Sequence, residues 1–174
     1  MTVLFLISFF VIAIYIAIVI AKSGIPYSIS DTYYRIDRKK WFMFVMLVTG
    51  FSLLPVALEV SSESSQFLIF LTVVGLAMVG VSPNFKGEKS ERNTRYAGAI
   101  MLLVFSQLWV LFNFKWILLL WVIYVVYIAC GLIKKKSGPS FYDDLVNLKP
   151  VFWAEITLII TTYVTVLVGL WRSI

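Results

Sequence analysis

The chain of 174 residues is 61% hydrophobic and 17% aromatic, yet only 14% of it is charged and its formal net charge is +6. A water-soluble domain carries roughly a quarter charged residues and about half apolar ones, so this composition excludes a soluble globule, a disordered chain and a nucleic-acid-binding module. With a mean hydropathy of +0.94 and about 20 residues consumed by each bilayer crossing, residues 1–174 predict one integral membrane domain with no room for a soluble catalytic one.

The first apolar run, residues 2–21, is uninterrupted by charge. It lacks the basic start and small-residue cleavage site of a secretory signal, which predicts a retained spanning helix. Within it Ala13, Ala17 and Ala21 recur at every fourth position. Such a stripe of small side chains lets another backbone approach closely and marks a candidate homo-oligomer contact. After the break at Gly24-Ile25-Pro26, the spacing of Ile29, Tyr33 and Ile36 predicts a short amphipathic helix on the membrane surface. Ser28, Ser30 and Asp31 invite a hydrolase reading. The segment supplies neither a histidine nor a well-placed lysine to take a serine proton, whereas a Gly-Pro break followed by serine caps accounts for the same residues.

Residues 41–60 form the second run, interrupted by Pro55, which cannot donate to the carbonyl of Phe51. Thr49, Ser52 and Glu59 lie near one face of it. Beside a proline kink they make one wall of a candidate polar cavity, although hydroxyls in this position also repair the kink itself. Glu59 is one residue from the predicted end and reads as an interfacial carboxylate. The third, fourth and fifth runs are residues 66–82, 96–112 and 116–133. The fourth carries Ser106 and Gln107, with Asn113 beyond its end, and a glutamine in apolar surroundings usually bonds a neighbouring helix. Cys130, in the fifth, is the only cysteine, so an intramolecular disulfide is excluded.

Phe141, Leu145 and Leu148 recur at helical spacing, with Ser140 and Asp143 in capping-box register, and predict a second surface helix. The last run, residues 151–171, holds Glu155 near its start and Thr162 seven residues later. Glu155 would lie about 6 Å into the bilayer by helical rise, shallow enough to snorkel or to pair with Lys149 or an arginine of the basic loops. An intramembrane carboxylate is a functional candidate by default. Glu59 and Glu155 fall near opposite ends, roughly 20 Å apart in depth, so they do not share a proton.

Thirteen of the fifteen basic residues fall in the connections 22–40, 83–95 and 134–150, while connections 61–65 and 113–115 hold only Lys115. By the positive-inside rule the basic loops are cytoplasmic and both termini are outside, in what reads as a bacterial inner membrane. Those loops would meet anionic lipid headgroups. The expected fold class is all-α: a six-transmembrane-helix bundle with two short cytoplasmic interfacial helices. The short outer connections predict tight antiparallel hairpins between helices 2 and 3 and between helices 4 and 5.

Histidine is absent, which removes the side chain most used for proton transfer near neutral pH and for binding transition metals. Walker loops, dinucleotide-binding glycines, zinc spacings and calcium loops are also absent, so no cofactor, metal ligand or catalytic residue is assigned. The stretch Gly24 to Tyr34, with the helix led by Trp41 and the Pro83-Asn84-Phe85-Lys86 exit of the third run, resembles small multi-pass membrane proteins of bacteria and their phages. That resemblance supplies no reaction. The bundle is also similar to the membrane hydrolases that include alkaline ceramidases and adiponectin-receptor-like proteins, but those use a histidine-bound zinc, and this chain departs from them at that centre.

Three functions follow as expectations. The first is a small channel, carrier or membrane-embedded binding protein for an ion or small solute. Thr49, Ser52, Glu59, Ser106, Gln107 and Thr162 would line its cavity, and Glu155 would engage a cation or proton. The second is a non-catalytic accessory or scaffold protein acting through helix and lipid contacts, and the third a lipid-directed enzyme. A wet cavity reaching Glu155 favours the first. A dry bundle in which Glu155 meets a basic side chain favours the second.

Overall fold

Apolar surroundings offer no partner to a peptide group, so a chain this apolar gains most from elements that satisfy their own backbone. The computed structural model describes residues 1–34, 40–82, 88–134 and 141–172. It contains α1 (Thr2–Ser23), α2 (Lys40–Glu59), α3 (Gln66–Val81), α4 (Lys89–Phe114), α5 (Leu120–Lys134), α6 (Phe141–Asn147) and α7 (Pro150–Arg172). Short 3-10 turns occupy Ile29–Tyr34, Glu63–Ser65 and Lys115–Leu119, and no strand occurs among the described residues. Five stretches are long and apolar enough to cross a membrane: Thr2–Ser23, Lys40–Val60, Glu63–Val81, Lys89–Ile133 and Pro150–Arg172.

The fourth stretch contains α4 and α5 in succession. Between them the backbone of Phe114 leaves helical geometry at φ −147° and ψ 72°, and Trp121 Nε1 donates to Gln107 Oε1 at 2.8 Å. Along one continuous helix those two residues would stand about 21 Å apart. The chain therefore doubles back at Lys115–Leu119. The expected tight pairing of these two helices is not what forms, however. The neighbour of α5 is α7, reached through Tyr127 against Trp153 at 5.2 Å between ring centroids and through Tyr124 Oη, which donates to Pro150 O.

The closest helix pair is α3 with α4, and two glycines make it so. A Cβ placed on Gly98 would stand 2.7 Å from Met78 Cβ and 2.8 Å from the carbonyl oxygen of Gly75, and one placed on Gly75 would stand 2.7 Å from the carbonyl of Gly98. The two backbones touch, the kind of approach by which helices associate when the solvent is as apolar as their side chains. Across the bundle Phe42, Val56, Ile69, Trp109, Val110, Phe152 and Val166 are fully buried. At the end opposite the basic connections, Trp109 Nε1 donates to Ser61 Oγ at 2.6 Å. There Asn113 Oδ1 also accepts the Ser62 N–H at 3.2 Å, pinning the α2–α3 turn to α4.

Helix limits differ from the apolar runs where polar helix formers extend them. α4 starts at Lys89 rather than 96, and Glu91, Arg92 and Arg95 occupy its first turns instead of a loop. Hydropathy marks the part of a helix suited to lipid, while Glu, Lys and Arg are good helix formers outside it. The first expected surface helix is replaced by the 3-10 turn Ile29–Tyr34, in which Ile29, Ser30, Thr32 and Tyr33 are buried. The second is present as α6, with Phe141 and Tyr142 exposed. Ile36, the capping serine Ser140 and the Pro83–Lys86 exit lie outside the described residues. Of the alanine stripe, Ala13 is half-buried and Ala17 and Ala21 are exposed.

Substituting Gly98→Ala should lower the stability of the purified protein in detergent by about 1–3 kcal/mol, the usual cost of overpacking, read as a reduced midpoint of thermal or denaturant unfolding. Ala97→Ser, at an exposed position of the same turn, should change it by no more than about 0.5 kcal/mol.

Candidate functional site

The chain leaves α1 at Gly24, whose φ of +69° is a conformation open to glycine and strained for other residues. The Gly24 N–H closes the helix by donating to Ile20 O at 2.9 Å. From there the segment folds inward beneath the basic end of the bundle. Ser28 Oγ accepts the Asp31 N–H at 3.1 Å, and Thr32 Oγ1 donates back to Ile29 O, so the 3-10 turn satisfies part of its own backbone.

The remaining ties come from several elements. From α1, Tyr15 Oη and Thr32 Oγ1 share a hydrogen bond of 2.5 Å. From α7, Glu155 Oε2 accepts the Ile29 N–H at 2.5 Å. From α4, Arg95 Nη2 donates to Ser30 Oγ and, at 3.5 Å, to Ser28 Oγ. At the α6–α7 junction, Lys149 Nζ donates to Ile25 O. Lys149 itself is held at φ 53°, the one non-glycine residue with positive φ among those described. Arg95 is attracted electrostatically to Glu155 and Asp31. The result is a clamp: a carboxylate, a guanidinium, an ammonium and a phenol hold one loop against three helices.

A guanidinium has donors only and does not give up its proton, so the group bonded to Ser28 and Ser30 cannot activate either hydroxyl as a nucleophile. It can hold an oxygen acceptor through parallel N–H donors.

Two further polar clusters lie within the bundle. Gln107 Oε1 accepts from Trp121 Nε1 at 2.8 Å and from Thr161 Oγ1 at 3.2 Å, and Gln107 Nε2 donates to Ser106 Oγ at 3.1 Å. One amide thus ties α4, α5 and α7 together. Nearer the other end of α1, Ser8 Oγ donates to the carbonyl of Thr49 at 2.9 Å and shares a 2.5 Å hydrogen bond with Tyr163 Oη, joining α1, α2 and α7. The Tyr163 ring meets Phe5 and Phe9 edge-on.

The residues singled out from sequence are therefore dispersed. Ser106 and Gln107 come together with Thr161, while Thr162 donates to the carbonyl of Leu158 on its own helix at 2.9 Å. Thr49 belongs to the Ser8 cluster, and its own Oγ1 is buried without a hydrogen bond among the described residues. Ser52 is partly buried, and Glu59 is exposed at the end of α2. Glu155 accepts the Ile29 N–H and lies within electrostatic reach of Arg95.

Sequence reasoning missed Ser8, Tyr15 and Tyr163, and it left Arg95 in a loop. The available signal was faint. Ser8 is an isolated hydroxyl in an apolar run, and a polar group at that depth calls for a partner on another helix.

Replacing Glu155 with Ala leaves the Ile29 N–H without its acceptor and Arg95 without its neighbouring charge. The expected loss is about 1.5–3 kcal/mol, the range for a hydrogen bond to a charged group, accompanied by faster tryptic cleavage at Lys22. Glu155→Gln, which keeps an acceptor oxygen, should fall between wild type and Ala in both measurements. No protein-family model, no curated protein and no solved structure matches the chain.

Proposed function

We propose that the chain is a six-span integral membrane protein, with its basic connections in the cytoplasm and both termini outside, that works as a non-catalytic accessory or scaffold protein. It acts through lateral contacts with lipid and with other membrane helices. The observation that carries this reading is how the interior polar groups are used. Gln107, Ser106, Thr161, Ser8 and Tyr163 bond one another across helices, and Glu155 is engaged by the loop it holds. Their partners lie on different helices, and Glu155 stands about 9 Å along α7 from Thr161.

The sixth span rests on the reversal at Lys115–Leu119, which lets α4 and α5 cross separately. Side chains suited to lateral contact are plentiful. Val3, Phe10 and Ile14 on α1 and Val122, Ile123, Val125 and Val126 on α5 are more than half exposed, too much apolar surface to leave in water. The exposed Ala17 and Ala21 offer a close approach to a second helix, including one from another copy.

A carrier for a small solute is the second reading. It is favoured by the concentration of Arg95, Ser28, Ser30 and Glu155 at one end, where an ion would first be met.

Two measurements separate these readings. In a Cys130→Ala background, Ser64→Cys should react with an impermeant thiol reagent on intact cells and Ser90→Cys only after permeabilisation. Both positions are exposed, and the reverse pattern would overturn the orientation. In proteoliposomes, proton and alkali-cation flux should equal that of empty vesicles. Flux above that level, abolished by Glu155→Gln, would overturn the accessory reading in favour of the carrier.

A further inference from the structure

The apolar surface is not uniform. Along α1 and closed at one end by the first turn of α2 runs a groove of about 520 Å³, and every residue lining it is aliphatic or aromatic. Val3, Phe10, Ile14 and Ile18 form its α1 wall, and Trp41 and Phe44 close the basic end. Those two rings meet edge-on at 5.8 Å between centroids. Tyr15 lies in the floor, its hydroxyl turned to Thr32 in the clamp, so the groove presents the ring and not the oxygen.

Two features say what fits it. The first is length. From Val3 to Ile18 the helix rises about 22 Å, whereas one leaflet of hydrocarbon is about 15 Å deep, half of a core about 30 Å thick. A single lipid tail can therefore lie against protein along its whole depth. The second is charge. Lys22 lies in the last turn of α1, four positions beyond the lining residue Ile18, and Lys40 begins α2 immediately before the lining residue Trp41, so two exposed lysines stand at the basic end of the two helices that line the groove.

We propose that this groove is a binding site for one anionic phospholipid, with an acyl tail along α1 between Val3 and Ile18 and the headgroup phosphate between Lys22 and Lys40. The proposal rests on the bilayer reading above and deepens it by naming the lipid contact. An apolar groove alone would take any tail. The two lysines supply the discrimination, since each basic residue close to an anionic surface raises affinity about fivefold.

The test uses the full chain purified in a mild detergent, titrated separately with phosphatidylglycerol and phosphatidylcholine and read by native mass spectrometry. One phosphatidylglycerol per chain should be retained with at least a tenfold preference over phosphatidylcholine. The double variant Lys22→Gln, Lys40→Gln changes only exposed side chains and should bring the two lipids to within about twofold. Ile14→Trp, which fills the groove, should abolish the one-to-one retention of both lipids, while Val126→Trp on exposed α5 should leave it intact.

Retention unchanged by Ile14→Trp, or a headgroup preference unchanged by the lysine variant, would overturn the proposal. So would a dimer that Ile14→Trp converts to monomer with lipid retention unaltered, since the groove would then seat protein. Labelling at Ser64→Cys and Ser90→Cys reports separately on the spanning arrangement. The expected labelling without lipid preference defeats only the groove, and reversed labelling defeats the orientation on which it depends.

Discussion

A polar group buried among apolar side chains has no partner except one the protein provides, and most of what is specific in this structure follows from that constraint. Threonines 72, 157, 162 and 165 each donate to the carbonyl four residues earlier, the cheapest local solution for a hydroxyl on a helix. Groups too long or too rich in donors for that solution must reach another helix, and each one that does fixes the relative rotation of two elements. Gln107 does so for α4, α5 and α7, and Ser8 with Tyr163 does so for α1, α2 and α7. The hydrogen bonds specify which arrangement forms. They add little to the drive for assembly, because the separated helices also find partners for these groups.

Close packing supplies the attraction that the hydrophobic effect cannot. Where Gly75 meets Gly98, the absence of two side chains brings whole peptide planes into van der Waals contact, and α3 and α4 become the most intimate pair in the molecule. α5 has no comparable partner. No described residue of it is fully buried, and it leans on α7 through aromatic rings and on Leu148, which crowds Gly131. Packing is thus uneven: α3 and α4 are in close contact, while α1 and α5 turn most of their surface outward.

The helices are legible because long apolar runs mark them, and five stretches are long and apolar enough to cross a membrane. Polar extensions were less legible. Arg95 is invisible to hydropathy as a helical residue, yet its place on α4 aims it at Ser30, so the main charged group of the clamp was read as part of a loop. Periodicity also misjudged Ile29–Tyr34. The spacing of Ile29 and Tyr33 suits a surface helix, but the decisive contact is between a backbone N–H and a carboxylate 126 positions away, and no local pattern encodes it. Glu155 could be flagged by type and depth. Its partner required tertiary structure.

The clamp and the groove share one residue, and that sharing links the polar end to the lateral surface. Tyr15 gives its hydroxyl to Thr32 and its ring to the groove floor. Its orientation is set by the loop, and the loop is set by Glu155, Arg95 and Lys149. A change at Glu155 therefore need not stay at the basic end. The Tyr15 ring is itself buried and packs against Phe42 at 6.4 Å between centroids. Here a tyrosine, polar at its tip and apolar along its ring, is suited to both.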